Sequence, residues 1–154
     1  MPYEIERKFL VSDEGILDGL EGTLYRQAYI STTGRVVVRV RVAGDRAYIT
    51  LKSCNDGIRR LEYEYEIPKY HAVQMIDELC DEYVIEKIRY SVMVGKHKWV
   101  IDRFMKNNLG LVVAEIELDE EHETFELPYW VGKEVTGDAR YYNSNLAKEP
   151  YTQW

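Results

Sequence analysis

Cysteine is scarce in this 154-residue chain, where Cys54 and Cys80 are the only two. They lack metal-ligand spacing and cannot make a disulfide framework, so both read as ordinary buried or edge thiols in a reducing, cytoplasmic setting. Long apolar runs are missing as well. No stretch could span a bilayer, and Glu4, Glu6, Arg7 and Lys8 stand where a signal peptide needs hydrophobic residues, so neither export nor membrane anchorage is expected. An excess of positive charge is also absent. The formal net charge of -7 argues against a nucleic-acid partner and confines any anionic ligand to a local basic patch. There is no internal repeat, low-complexity segment or linker, so residues 1–154 read as one domain, long enough to bury a core without staples. His71, His97 and His122 are scattered without ligand spacing and attract no chemistry.

What the chain has is alternation. Its composition, 45% hydrophobic and 31% charged, is that of an ordinary globular protein, and period-two segments run almost throughout. Strands are expected at Tyr3 to Val11, Leu24 to Thr32, Arg35 to Ala43, Arg46 to Ser53, Arg59 to Ile67, Glu86 to Val94, His97 to Phe104 and Leu111 to Asp119. Roughly eight strands are enough to close a barrel. Turn signals at Thr33-Gly34, Ala43-Gly44-Asp45, Asn55-Asp56-Gly57 and Val94-Gly95-Lys96 join them into an antiparallel meander. The strongest helix covers Tyr70 to Tyr83, where Val73, Ile76, Leu79 and Cys80 recur at helical spacing after Pro68. A weaker segment at Ser12 to Leu20, capped by Ser12 or Asp13, joins the first two strands. The pattern loosens after Asp119, and Tyr142 to Ala147 reads as a short helix. The fold class is therefore β-rich, α+β.

In an extended backbone residues two apart share a face, so Glu4, Glu6 and Lys8 point one way. The third strand aligns Arg39 with Arg41, and the fourth aligns Tyr48, Thr50 and Lys52. Arg60, Glu62, Glu64 and Glu66 share a face of the fifth, Lys87 and Arg89 of the sixth, Lys98, Val100 and Asp102 of the seventh, and Glu115 and Glu117 of the eighth. Two readings fit. In an ordinary half-buried sheet such faces are simply solvated. However, like charges two apart on a strand repel by a few tenths to about 1 kcal/mol per pair, so whole faces of one sign point to a ligand that compensates them. If these faces line a closed barrel, the lumen must hold water, metal and a polyanion, because burying ions dry costs several kcal/mol each.

Glu4-Ile5-Glu6-Arg7-Lys8 resembles the ExExK signature of the CYTH superfamily, the triphosphate tunnel metalloenzymes. The likeness continues in family order through Arg39-Val40-Arg41, Leu51-Lys52, Glu62-Tyr63-Glu64, Lys87-Ile88-Arg89, Trp99-Val100-Ile101-Asp102, Glu115-Ile116-Glu117 and Gly132-Lys133-Glu134-Val135-Thr136. The resemblance implies a closed eight-stranded antiparallel barrel, a tunnel with a hydrophilic lumen and a few flanking helices. It implies metal-dependent hydrolysis of inorganic triphosphate (tripolyphosphate) to pyrophosphate and phosphate. A broader nucleoside or thiamine triphosphatase and a class IV adenylate cyclase are the enzymatic alternatives, and a noncatalytic polyphosphate-binding module is the competing class.

On that resemblance Glu4, Glu6, Glu115 and Glu117 would hold Mg²⁺ or Mn²⁺, which take carboxylate, water and phosphate oxygens. Lys8, Arg39, Arg41, Lys52, Lys87 and Arg89 would clamp the phosphates, and Lys133 would reach the terminal phosphate from the loop after the eighth strand. Glu62 and Glu64 would hold or orient the attacking water or a second metal, and Asp102 would pin a neighbouring basic side chain. Tyr29 would close over the tunnel mouth, with a packing role equally open. A homodimer is expected, because Leu61, Tyr63, Tyr65 and Tyr90 stand on outer faces that one helix and a short tail cannot cover.

Overall fold

In the computed structural model, which describes residues 3–32, 34–53, 59–80 and 83–154, the alternating segments form eight principal strands. They are β1 (Tyr3–Val11), β2 (Thr23–Ser31), β3 (Val36–Ala43), β4 (Arg46–Ser53), β5 (Arg59–Ile67), β6 (Ile85–Val94), β7 (His97–Phe104) and β8 (Val112–Glu117). The run β2 to β5 joins the run β6 to β8 through a β2–β6 pair, and β1 pairs with β8 on one edge and β5 on the other. The sheet thereby closes into an antiparallel barrel in the order 5-4-3-2-6-7-8-1, and closure removes its open edges. Cys54 and the turn signals at Thr33 and Asn55 to Gly57 lie outside the described residues.

The ends of the elements differ in small, explicable ways. The last expected strand stops at Glu117, and helix α1 (Lys69–Leu79) stops short of Tyr83 because Cys80 is already extended, with φ -112° and ψ 122°. Asp13 rather than Ser12 caps the segment after β1, its Oδ1 accepting from the Gly15 amide at 2.9 Å. Helix α2 (Asn143–Leu146) falls within the expected tail helix. A ninth strand, β9 (Val131–Glu134), has no counterpart in the alternation pattern. It takes the part of the β1 edge that β5 leaves: β5 pairs with Tyr3 to Ile5, and β9 pairs with Phe9 and Val11. Between them the Lys8 amide donates to Thr136 Oγ1 at 2.9 Å, and the Lys8 carbonyl accepts from the Val135 amide at 2.8 Å.

Two hydrophobic clusters lie outside the barrel, and a third fills one end of its interior. Phe9, Trp99, Ile101, Ala114 and Ile116 pack beneath Leu17 of the β1–β2 connection and beneath Phe125 and Trp130. Full burial of side chains such as Ile101 and Ile116 contributes about 1.5–3 kcal/mol each. Ala28, Val40, Val42 and Ala47 pack beneath Ala72 and Ile76 of α1. At one end of the barrel Tyr29, Val37, Phe104 and Val113 meet Tyr141 and Leu146 of the C-terminal segment. Tyr90, expected on an uncovered face, is instead buried in the first of these clusters. Gly22 makes that possible: a Cβ there would stand 2.4 Å from Ile88 Cγ2 and 2.8 Å from Tyr90 Cε1, so only glycine brings the covering chain so close. Leu51, Tyr63 and Tyr65 do remain exposed on β4 and β5.

Candidate active site

With apolar residues turned outward, the sorted charges turn inward. They line a cavity of about 300 Å³ that takes Glu4, Glu6 and Lys8 from β1, Arg39 and Arg41 from β3, Lys52 from β4, and Arg60, Glu62 and Glu64 from β5. Lys87 and Arg89 of β6 and Glu115 and Glu117 of β8 complete the charged wall. Tyr29, Val37, Tyr142, Asn143 and Ser144 line it where the C-terminal segment packs on the barrel end. Arg89, Val100 and Glu117 are shared with a wider cleft of about 640 Å³ that adds Tyr25, Lys96 and Lys98, so the cavity continues in that direction.

Opposite charges meet along the lumen wall, mostly between neighbouring strands. Lys52 Nζ lies 3.3 Å from Glu4 and 3.8 Å from Glu62, Arg39 Nη2 lies 3.3 Å from Glu64, and Lys8 Nζ lies 3.5 Å from Glu115. Asp102, only 2% exposed, receives Lys87 Nζ at 2.8 Å and a two-pronged contact from Arg89 at 2.7 and 2.8 Å. Arg41 differs from the rest: its Nε donates to the neutral amide oxygen of Gln27 at 2.8 Å. Arg39 Nε and the Tyr142 hydroxyl are buried without a hydrogen-bond partner among the described residues. A buried donor left unmade costs about 1–3 kcal/mol, so Arg39 Nε is a standing demand for an acceptor.

Protonation follows the crowding. Burial pushes Glu6 up to about 8, with Glu115 and Glu4 adding repulsion. Burial likewise raises Glu4, which shares a side-chain hydrogen bond with Glu62, and Glu117. Burial would raise Glu115 too, yet Lys8, aided by Arg89 and Lys87, holds it at about 2. Burial would also raise Asp102, but Lys87 and Arg89 keep it far below the carboxylate range. Among the cations, burial lowers Lys52 and Lys87 and brings Arg41 down to about 9, with Arg39 and Arg89 adding repulsion at Arg41. Arg41 thus keeps its proton at neutral pH while carrying a charge that no adjacent carboxylate offsets among the described residues.

Among the described residues no three Asp, Glu, His or Cys side chains converge tightly enough to hold a metal ion by themselves. Glu6 and Glu117 face each other directly across β1 and β8, and both are raised by burial. Such a pair fits a hard cation that takes one or two carboxylates and completes its shell with water and phosphate oxygens.

One expected residue stands elsewhere, and another lines the cavity in a packing role. Lys133 is not on a loop above the site; it lies exposed on β9, outside the residues lining the cavity. Tyr29 lines the cavity and is buried among Val37, Ile85 and Phe104 at the end where the C-terminal segment packs, the packing alternative left open for it. Asp102 faces the lumen side but sits behind Lys87 and Arg89, pinning both. Arg60, to which the family resemblance assigns no role, lines the cavity on the same lumen face as Glu62, two residues on. Sequence reasoning also passed over Gln27 and Asn143, whose sequence neighbourhoods carry no charge pattern.

The profile of the CYTH domain matches residues 2–150. An inorganic triphosphatase of Acetivibrio thermocellus is 50% identical over 151 residues, spanning 98% of this chain and 97% of its own length. An inorganic triphosphatase of Nitrosomonas europaea is 36% identical over 149 residues, with 94% and 96% covered. The crystal structure of the inorganic triphosphatase NE1496 superposes with a TM-score of 0.67 at 35% identity, over 94% of this chain and 93% of that one.

Proposed function

The chain belongs to the CYTH family, and from that premise we propose that it hydrolyses inorganic triphosphate to pyrophosphate and phosphate, using Mg²⁺ or Mn²⁺ held in the barrel. The observation that carries this reading is the pair of inward-facing arginines on β3: among the described residues Arg39 has a buried Nε with no partner, and Arg41 has no carboxylate partner. Both therefore favour an anionic chain inside the lumen.

The geometry supports the following roles. Lys8, Arg41, Arg60 and Lys87 hold the phosphate chain near the C-terminal segment, while Glu4, Glu6, Glu115 and Glu117 form the acidic side that would hold the metal. A bound divalent ion supplies neutralising charge to the phosphoryl oxygens. Glu64, occupied by Arg39 at 3.3 Å and by the Thr50 hydroxyl at 2.8 Å, aims Arg39 rather than water. Glu62, which shares a hydrogen bond with Glu4 and lies 3.8 Å from Lys52, would accept a proton from water as the water oxygen attacks the terminal phosphorus. The bond to the bridging oxygen then breaks, and its electron pair leaves with pyrophosphate. No covalent intermediate is needed.

A small inorganic substrate is favoured over a nucleotide because the aromatic rings at the cavity are already engaged. Arg41 and Arg89 lie 5.0 and 4.7 Å from the Tyr25 ring centroid, and Lys8 and Arg60 lie 5.8 and 5.6 Å from that of Tyr142. Phosphate release from inorganic triphosphate, ATP and pyrophosphate, with metal and in chelator, tests the proposal. Fastest metal-dependent turnover of triphosphate supports it; equal turnover of pyrophosphate, or formation of cyclic AMP from ATP, overturns it. Of the residues on which the expected homodimer rests, Tyr63 and Tyr65 are exposed and Leu61 is half-buried; with the exposed Leu51 they would form its face, and a monomer by light scattering at micromolar concentration removes it. No helix among the described residues is long and apolar enough to cross a membrane.

A further inference from the structure

Resting on that proposed function, the geometry points to Gln27 and Asn143 as positioning residues: a chain of two neutral amides fixes Arg41 and Lys87 for phosphate without cancelling their charge. Asn143 Oδ1 accepts from Lys87 Nζ at 2.9 Å and from Gln27 Nε2 at 3.1 Å. Gln27 Oε1 then accepts from Arg41 Nε at 2.8 Å, closing a path from the C-terminal helix to the β3 arginine. Gln27 is fully buried, and its Nε2 also donates to the Tyr29 hydroxyl at 3.3 Å, so its contacts have no competing water. The same segment gives a second neutral acceptor, the Tyr141 carbonyl, to Lys8 Nζ at 3.2 Å.

Neutrality is the point of this arrangement. Lys87 and Arg89 share one carboxylate, Asp102, and Arg41 beside them has no ion pair among the described residues. The surplus positive charge is what a polyanion is drawn to, yet long cationic side chains need acceptors to hold one geometry. Amide oxygens supply the geometry and leave the surplus in place. A carboxylate at position 143 would be the stronger partner for Lys87 and the poorer neighbour for triphosphate.

That contrast defines the experiment. Asn143→Asp keeps the acceptor and adds charge, so its melting temperature should equal or exceed that of wild type. Its dissociation constant for tripolyphosphate with Ca²⁺, measured by calorimetry, should rise by about tenfold or more, as like-charge placement dictates. Gln27→Glu should behave alike and carries the test if Asn143→Asp fails to fold. Asn143→Leu, which removes the acceptor, should lower kcat for triphosphate more than it changes affinity for pyrophosphate. Wild-type affinity in both charged variants, or weakened binding that tracks a lowered melting temperature, overturns the assignment. Wild-type protein that binds the probe without hydrolysing triphosphate would refute the proposed function alone; failure to bind would refute both.

Discussion

Glu6 and Glu117 stand directly opposite one another on β1 and β8, and burial raises both carboxyls above their ordinary range. Directly opposed like charges destabilise a strand pair, so this ladder is held in register by its outward face, where Phe9, Ala114 and Ile116 are buried. The charged side of the same strands is thereby free to be arranged for a ligand rather than for stability.

Stability should depend on pH through Glu6. Its folded pKa, about 8, lies above the ordinary carboxylate value, so its contribution is complete below about pH 4 and is lost as pH rises through 8. Thermal melts in chelator should therefore fall in temperature between pH 6 and pH 9. Glu6→Gln should flatten that slope, and an unchanged slope in this variant would refute the assignment. Glu115 acts in the opposite sense: held at about 2 by Lys8 against burial, it loses its contribution only as pH falls toward 2.

Metal uptake should expel a proton near neutral pH, since the cation needs Glu6 ionised. Calorimetric titration with Mn²⁺ in two buffers of different ionisation heat should show proton release at pH 7 in wild type and much less in Glu6→Gln. Identical buffer dependence in the two proteins would place the metal elsewhere.

Asp102 and Arg41 should separate stability from function. Asp102→Asn leaves Lys87 and Arg89 buried without their carboxylate and should cost about 3–5 kcal/mol, read as a fall in melting temperature. Arg41→Met removes a buried charge that no carboxylate offsets, so its melting temperature should hold or rise while triphosphatase activity is lost. Unfolding in Arg41→Met with full specific activity would make Arg41 structural.

Gly22→Ala should destabilise by about 1–3 kcal/mol through overpacking against Ile88 and Tyr90. Because the strain is outside the barrel, kcat of the folded fraction should be unchanged. A stable variant would mean that the β1–β2 connection shifts freely over the core.

Where two strand faces differ sharply in polarity, the sequence discloses the lumen: Arg39 and Arg41 alternate with Val38, Val40 and Val42, and Glu115 and Glu117 flank the buried Ile116. On β2 the contrast fails. Its inward face carries Tyr25, Gln27 and Tyr29, and its outward face carries Arg26, paired with Asp77 and Glu86, so polarity points the wrong way and Gln27 stays hidden. Asn143 is invisible for another reason: it reaches Lys87 across 56 residues of chain, and no local period records such docking. The same holds for β9, whose pairing is dictated by the edge of β1 that β5 leaves free.

The central claim, that the lumen is a built triphosphate site, is tested most directly by thermal melting with tripolyphosphate and Ca²⁺ against NaCl at matched ionic strength. A ligand at a hundred times its dissociation constant adds about 2.7 kcal/mol, equivalent to several degrees for a domain of this size. The account predicts that rise for tripolyphosphate alone, and its loss in Arg39→Ala/Arg41→Ala. Equal shifts from tripolyphosphate and NaCl, or an undiminished rise in the double variant, would contradict it.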